Sequence, residues 1–264
     1  MDAPPRERIS AAYNAAADQY DALAFWGYYG ARSTSRGELR EGEIVLDVCS
    51  GTGASAIPAA RAVGPSGRVI GLDLAPSLIV LAREKAAAEG LSQIEFRHAD
   101  FDQAYFRPSS FDAVICVFGI FFFPDMRATL QKMWRVLRPG GRLVITTWGP
   151  DLFEPGNSVF WKAVREVRPE LYGAFNAWDR LRTPDRVAAL FEEAGVPVAE
   201  NEAEDRDHPL SSPEDWWKIV MGTGYRGTLE QLAPDERQHV YRACMGVKSA
   251  AVRTPVLYTV ARKE

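Results

Sequence analysis

Strand-like and helix-like segments alternate between residues 44 and 148, and this alternation constrains the fold more than any other feature of the chain. Short apolar runs such as "EIVLDVC" and "GRVIGLD" are each followed by a segment with helical spacing of apolar residues. Continuous apolar strands are typical of parallel sheets that are covered by helices on both faces. Because strand-to-strand crossovers are right-handed, the pattern predicts a doubly wound α/β sheet.

The first predicted strand runs into a tight turn, Gly51-Thr52-Gly53, within "VLDVCSGTGASA". The turn could be purely structural, because glycine tolerates positive φ and lets backbones approach closely. It could also bind a dinucleotide, since "GTGASA" fits the G-x-G-x-x-G/A pattern and Asp73 follows about twenty residues on. However, Asp47 precedes the turn closely, and its carboxylate would repel a pyrophosphate but attract an ammonium group.

Acidic residues stand at the ends of three successive predicted strands, where α/β sheets bind their ligands. Asp47 could accept from an ammonium group, and the two oxygens of Asp73 could accept from both hydroxyls of a ribose. Asp100, in "HADF", could accept from an exocyclic amine while the Phe101 amide donates to a ring nitrogen. An ammonium, a ribose diol and an adenine amine together describe S-adenosylmethionine.

The stretches "VLDVCSGTG", "VIGLDLAPSLI", "FRHADFD", "SFDAVICVFGIFFFPD" and "VLRPGGRLVITTW" resemble the successive motifs of class I S-adenosylmethionine-dependent methyltransferases. They are most similar to the branch of ubiquinone/menaquinone C-methyltransferases and small-molecule methyltransferases. The resemblance implies a Rossmann-like, mostly parallel seven-stranded sheet whose last strand is antiparallel. The cofactor-binding residues expected from the turn and the resemblance are Asp47, Ser50, Gly51, Thr52, Gly53, Asp73, Leu74, Asp100, Phe101, Val117 and Phe118. Cys49-Ser50 departs from the family, in which many members have Gly-x before the turn.

The pattern and the resemblance divide the chain into a core with three additions. The expected boundaries are an N-terminal helical cap (1–43), a cofactor-binding core (44–148), a lid insertion (149–182), core continued (183–205), a second lid insertion (206–253) and a final core strand (254–264). Both insertions should emerge at the carboxyl edge of the sheet and, with the cap, form a helical lid over the methyl group. Their aromatic residues are Phe160, Trp161, Tyr172, Phe175, Trp178, Trp216, Trp217, Tyr225 and Tyr241. Each of these could line an acceptor pocket or simply pack the lid onto the core.

The cap segment "AAYNAAADQYDALAFWGYY" resembles the aromatic segment that precedes the glycine turn in these enzymes. Tyr13 and Tyr20 are therefore candidates to close over the methionine part of the cofactor, since an aromatic face attracts a sulfonium by cation–π interaction. The alternative is an ordinary packing helix. The residues expected to form the acceptor pocket are Trp26, Tyr28, Phe122, Phe123 and Trp148.

Methyl transfer to a small, largely apolar acceptor, such as an aromatic compound or a secondary metabolite, is the predicted reaction. It is an in-line displacement in which alignment of the reactants can supply about 7–11 kcal/mol. If the acceptor needs a base, His208 is the candidate, because it should end the sixth strand at the correct edge. We expect His98 to be a buried structural residue and His239 to lie on a solvated helix face.

The composition of the chain limits which partners, metal sites and cellular locations are expected. The net charge of −4 and the lack of a basic stripe argue against a nucleic-acid partner. The three cysteines are far apart, which suggests neither zinc nor a disulfide framework, and no acidic metal cluster is evident. The first residues lack an apolar signal segment and no run is long enough to span a membrane, so we expect a cytoplasmic enzyme. The oligomeric state stays open, with a homodimer as one alternative.

Two other functions remain open at the level of sequence. The chain could bind S-adenosylmethionine without transferring its methyl group, using it to shape a pocket or promote a rearrangement. It could also be an NAD(P)-dependent reductase that uses the same glycine turn.

Overall fold

The computed structural model describes residues 6–172, 176–198 and 200–264, and the backbone alone at Arg6. Phe175, one of the aromatic residues of the expected first insertion, lies outside the described residues. So do residues 1–5, which belong to the segment considered for a signal peptide.

The strands, in chain order, are β1 (Ile44–Val48), β2 (Arg68–Asp73), β3 (Ile94–His98), β4 (Phe111–Val117), β5 (Leu137–Trp148), β6 (Glu200–Glu204), β7 (Asp207–Pro209), β8 (Ala251–Arg253) and β9 (Val256–Arg262). The helices are α1 (Arg6–Tyr20), α2 (Ala24–Arg36), α3 (Ala56–Val63), α4 (Pro76–Ala88), α5 (Met126–Val136), α6 (Gly156–Val167), α7 (Pro184–Ala194), α8 (Pro213–Met221), α9 (Arg226–Leu229) and α10 (Pro234–Met245). Short 3₁₀ helices lie at Ile120–Phe122, Pro169–Leu171 and Ala177–Leu181.

Seven strands form one sheet in the order β3-β2-β1-β4-β5-β9-β6. Neighbouring strands from β3 to β5 are parallel, whereas β9 runs antiparallel to both β5 and β6. This confirms the predicted doubly wound sheet with an antiparallel last strand. Since β1 and β4 lie on either side of the point where the strand order reverses, a crevice opens at their carboxyl ends.

Alternate residues of the central strands face two separate hydrophobic layers. Leu46 and Val48 of β1 pack into the larger layer, which includes residues of α5 and α7 and five aromatic residues of the insertions, Phe160, Trp161, Trp178, Trp216 and Tyr225. Val45 faces the smaller layer under α3 and α4. Both faces of the sheet are therefore covered, which explains why its strands are continuously apolar.

Glycine and proline mark the ends of two of the helices. Gly195 has the left-handed conformation (φ 68°) that ends α7. At the start of α4, Ala75 precedes the helix and Pro76 is its first residue. The Ser77 amide donates to the Asn14 side chain of α1 at 2.9 Å, which links the cap helix to the start of α4.

The second cap helix, α2, is fixed to the core by buried polar contacts. The Tyr29 hydroxyl contacts the carbonyl and hydroxyl oxygens of Thr254 at 2.5 and 2.9 Å. Glu204 of β6 accepts from Tyr28 and from Arg32, each at 2.7 Å. These contacts hold α2 against the sheet, at Thr254 and at β6.

The aromatic residues of the two insertions pack mainly on one another around Tyr225. Phe160 and Trp178 of the first insertion lie 4.7 and 5.8 Å from the Tyr225 ring, and Trp216 of the second lies at 5.7 Å. The Tyr225 hydroxyl donates to Asn157 at 2.7 Å. In the part of the chain that the structure describes, no helix has both the length and the apolar character needed to cross a bilayer.

Candidate active site

A cavity of about 770 Å³, counted with its opening to solvent, lies at the carboxyl ends of β1, β2, β3 and β4. Its described wall comes from the strand ends, the loops after them, α1, α2 and α4. The lining residues are Ile9, Tyr13, Tyr20, Trp26, Val48, Cys49, Gly51, Leu72, Asp73, Leu74, Leu78, Ala99, Asp100, Phe101, Val117, Phe118, Phe122 and Phe123.

Asp73, at the end of β2, is tied to the glycine turn by its own carboxylate. One oxygen accepts from the Gly51 amide and the other from the Ala75 amide, both at 2.8 Å. Burial raises the pKa of Asp73, and these backbone hydrogen bonds oppose the increase. Each oxygen keeps a second lone pair, so the group could still accept from two hydroxyls of a ligand.

Asp47 lies completely buried beneath the turn. The Ser55 hydroxyl donates to its Oδ2 at 2.6 Å, while Oδ1 has no hydrogen-bond partner among the described residues. Desolvation raises the pKa of Asp47 to about 7, despite the Ser55 bond. A buried acceptor without a donor is costly and invites a cationic or donating ligand group. The residues therefore fit a cofactor that carries an ammonium group.

The loop after β3 carries the third acidic residue, Asp100. Its Oδ1 accepts from the Asp102 amide at 2.9 Å, and its carbonyl accepts from the Ala104 amide at 2.8 Å. These bonds curl the loop, with the buried Phe101 ring in the cavity wall. The arrangement could hold an adenine ring beside Phe101 and its amine near Asp100.

The remaining wall is aromatic. The Tyr20 ring stacks on Trp26 at 4.8 Å, and Tyr13 meets both Tyr20 and Phe122 edge-on at 6.2 and 5.7 Å. Burial raises the pKa of Tyr20 well above its ordinary value, and the nearby Tyr13 adds to the increase. Both tyrosines therefore stay protonated near neutral pH and could act as hydrogen-bond donors inside an otherwise apolar space.

Twelve of the residues that the sequence predicted for the cofactor site or the acceptor pocket line this cavity. They are Tyr13, Tyr20, Trp26, Gly51, Asp73, Leu74, Asp100, Phe101, Val117, Phe118, Phe122 and Phe123. Four residues expected at the cofactor, Asp47, Ser50, Thr52 and Gly53, lie behind the wall. Thr52 turns away to donate to Asp21 at 2.6 Å. A Cβ on Gly53 would lie 2.9 Å from the Phe96 ring, so this glycine serves close packing.

Two residues expected in the acceptor pocket lie elsewhere. Tyr28 points to Glu204 and lies under the Arg206 guanidinium, 3.9 Å above its ring. Trp148 is buried and stacks face to face on Phe118 at 3.7 Å, one layer behind the wall. The described aromatic residues of the insertions are also absent from the wall, and Phe160, Trp161, Trp178 and Trp216 pack around Tyr225 instead.

His208 is not where the sequence predicted it. It lies in β7, which pairs with β8 in a separate two-stranded sheet, and not at the end of β6. Its ring packs edge-on against Phe25 at 5.2 Å, and the residue does not belong to the described cavity wall. Burial lowers the pKa of His208. His98, expected to be buried, is exposed, with Nε2 3.1 Å from the Leu74 carbonyl oxygen.

Sequence reasoning missed six lining residues: Ile9, Val48, Cys49, Leu72, Leu78 and Ala99. Val48 and Leu72 are the last apolar residues of β1 and β2, and this position at the carboxyl end of a strand could have indicated that they line the cavity. Cys49 adopts positive φ (63°), at the position where the family often has glycine. Ile9 and Leu78 are ordinary apolar helix residues, and nothing in their spacing distinguishes them from core.

Comparison with known proteins agrees with this geometry. Residues 45–141 match a family model described as a methyltransferase domain. A demethylmenaquinone methyltransferase from Listeria monocytogenes is 36% identical over an alignment of 171 residues, with a coverage of 60% of this chain and 71% of the relative. The match thus includes the strands and loops that form the cavity.

Solved structures show the same fold. A chain of the cyclase SpnF aligns with a TM-score of 0.65 at 18% identity, covering 100% of this chain and 97% of that one. An S-adenosylmethionine-dependent methyltransferase from Aquifex aeolicus aligns with a TM-score of 0.53 at 17% identity, covering 89% of each chain. Fold and cavity together define an α/β enzyme whose ligand cavity lies at the carboxyl ends of parallel strands. The chain belongs to the class I S-adenosylmethionine-dependent methyltransferase family, and its cofactor is S-adenosylmethionine.

Proposed function

We propose that this methyltransferase acts on a small, largely apolar ring compound, with the aromatic part of the cavity wall as its acceptor pocket. The observation that carries the proposal is the group of rings formed by Tyr13, Tyr20, Trp26 and Phe122 beside the glycine turn. Flat aromatic surfaces bind planar apolar ligands with favourable stacking geometry. The Listeria relative is named for demethylmenaquinone, and a naphthoquinol-type ring fits this pocket chemistry.

The cofactor, when bound, supplies a methyl group that its own positive charge has activated. We assign its recognition to three groups of the cavity wall: Asp73 to the ribose hydroxyls, and Asp100 with the Phe101 amide to the adenine. Asp47 is buried behind the wall, so it would reach the ammonium group only if the glycine turn moves on binding. The carboxylates of Asp73 and Asp100 give the described wall a negative potential that favours a cationic ligand. Gly51 and Tyr20 complete this side of the pocket, where the Tyr20 hydroxyl lies over the turn.

Alignment and exclusion of water carry most of the catalysis in this proposal. The aromatic side chains would hold the acceptor ring in line with the methyl group and keep water away. The described titratable residues of the wall are Tyr13, Tyr20, Cys49, Asp73 and Asp100. Burial raises the pKa of Tyr13, so its hydroxyl is a donor and not a base. We therefore propose that the acceptor is nucleophilic without help from a base of the protein. A hydroquinone meets this condition, because its ring is electron-rich and its hydroxyl groups can ionise.

Mass spectrometry tests the proposal. The purified protein is incubated with S-adenosylmethionine and a panel consisting of naphthohydroquinone, a catechol, an aliphatic amine and a short single-stranded DNA. We expect a gain of one methylene mass on naphthohydroquinone, with S-adenosylhomocysteine formed in equal amount. Methylation of the amine or the DNA in preference to the ring compounds would overturn the acceptor class.

A further inference from the structure

Two loops form much of the cavity wall, and each is held from outside by one cationic side chain. The Asp100 loop (residues 99–106) follows β3 and carries Asp100 and Phe101. The Phe122 loop (residues 118–125) follows β4 and carries Phe122 and Phe123. The two cations, Lys132 and Arg180, lie on different elements and were not distinguished by any sequence motif.

Lys132 lies on α5, and its ammonium group binds three backbone carbonyl oxygens of the Asp100 loop. Nζ donates to the Phe101 carbonyl, to Asp102 at 2.9 Å and to Ala104 at 2.7 Å. An ammonium has three donors, so all of them are used on this loop. Nζ also lies 4.8 Å from the centre of the Phe101 ring. The backbone of the residue expected beside adenine is thus fixed by one side chain.

Arg180 lies in the 3₁₀ helix Ala177–Leu181 of the first insertion, and it binds the Phe122 loop in the same manner. Its Nη1 donates to the carbonyls of Phe121 at 3.1 Å and Phe123 at 2.8 Å, and Nη2 donates to Pro124 at 3.2 Å. These carbonyls flank the two phenylalanines of the acceptor side. The insertion therefore acts on the pocket through backbone contacts, although its aromatic residues do not line it.

Hydrogen bonds from a charged donor are stronger than neutral ones, and three carbonyls that converge on one cation repel each other when it is removed. A neutral, similarly long side chain at either position would leave these oxygens without a donor. The loop would then rearrange to reach water, and the wall residues on it would move.

We propose that Lys132 and Arg180 are positioning residues with separate duties. Lys132 shapes the cofactor side and thereby sets cofactor affinity. Arg180 shapes the acceptor side and thereby sets acceptor recognition. The proposal rests on the cofactor and acceptor assignments given above.

The first test measures backbone hydrogen exchange by mass spectrometry in Lys132→Met, Arg180→Met and a control, Lys263→Met. Lys263 also donates from its ammonium to carbonyls near the end of α5, those of Trp134 and Leu137, both at 2.8 Å. We expect exchange to rise by about tenfold in residues 99–106 only for Lys132→Met, and in residues 118–125 only for Arg180→Met. Equal changes in both loops, or in neither, would overturn the proposal. The control should change neither loop.

The second test separates affinity for the two ligands. Lys132→Met should weaken S-adenosylhomocysteine binding by about tenfold in calorimetry, while Lys132→Arg restores most of it. Arg180→Met should leave this affinity within about twofold but raise the KM for naphthohydroquinone by about tenfold with a smaller change in kcat. The reverse pattern, or a common loss in both variants, would contradict the assignment.

Failure of the inference can be told from failure of the proposed function. If the wild-type protein binds S-adenosylhomocysteine and methylates the ring compound but neither variant shows its expected change, only the positioning roles fall. If the wild-type protein methylates a different acceptor while exchange changes as expected, the acceptor class falls and the two positioning roles stand.

Discussion

The carboxylate of Asp73 accepts a hydrogen bond from the amide of Gly51, 2.8 Å away across the ends of two neighbouring strands. A single side chain thereby links the glycine turn after β1 with the end of β2. The turn and the proposed ribose acceptor cannot shift independently, which preorganises the site for its ligand.

Replacing Asp73 should weaken cofactor binding while the fold remains intact. For Asp73→Asn we expect the Kd for S-adenosylhomocysteine to rise by about 100-fold, because one acceptor oxygen for the ribose is lost. An analogue without the ribose hydroxyls should bind both proteins with similar affinity. If the substitution weakens this analogue just as much, the carboxylate supports the turn and does not bind the ribose.

Gly51 and Gly90 offer a matched pair, because both have positive φ (53° and 68°). An alanine Cβ at Gly51 would lie 3.2 Å from the Tyr20 hydroxyl, whereas at Gly90 nothing lies within 4 Å. Both substitutions should cost about 1–2 kcal/mol of stability through backbone strain. Only Gly51→Ala should also weaken S-adenosylhomocysteine binding, by about tenfold or more. Denaturant unfolding and calorimetry on the two variants provide the check, and equal affinity in both would count against a ligand at the turn.

The buried carboxyl of Asp47 should make the ligand-free protein less stable as pH rises. Its pKa is about 7 in the folded protein against an ordinary 3.8, so only the unfolded chain ionises freely between these values. The free energy of unfolding should therefore fall in this window, by up to about 1.4 kcal/mol per pH unit, and level off above it. In Asp47→Asn this pH-dependent decrease in the free energy of unfolding should be absent. Urea unfolding of both proteins across the window measures it, and parallel curves would show that Asp47 does not titrate as described.

His208→Ala should not impair catalysis, because the ring packs on Phe25 outside the described cavity wall. We expect kcat and its pH profile to stay within about twofold of the wild-type values. Assays with naphthohydroquinone over a range of pH values provide the measurement. Loss of the acidic limb of the profile, along which activity rises as a base loses its proton, would restore His208 as a general base.

The sequence predicted the sheet, and it also predicted that several of the residues now found in the cavity wall would lie together, for identifiable reasons. Continuous apolar strands and glycine turns are local signals, and the carboxyl ends of parallel strands meet at one edge by topology. These signals are sufficient to place Asp73 and Asp100 close together from the sequence alone. The positions of the individual side chains around these two residues are harder to predict from the sequence.

The acceptor side was harder to predict because it depends on how distant segments pack. Trp148 and Phe118 stack on each other, and only Phe118 reaches the wall; strand alternation gives no hint of which ring lies in front. His208 was misplaced because a short pairing with Val252 takes it into a second sheet. Lys132 and Arg180 act through backbone oxygens, which leave no residue pattern in the chain.

The packing of both insertions around Tyr225 affects how the acceptor can enter the site and how the product can leave it. Rings from two distant parts of the chain interlock there, so neither insertion can swing outward without dragging the other. The two insertions therefore form one rigid unit outside the described cavity wall. Of the elements that border the cavity, α1 is held by fewer ring contacts, those of Tyr13 and Tyr20, so we expect the acceptor and the product to pass on its side of the cavity.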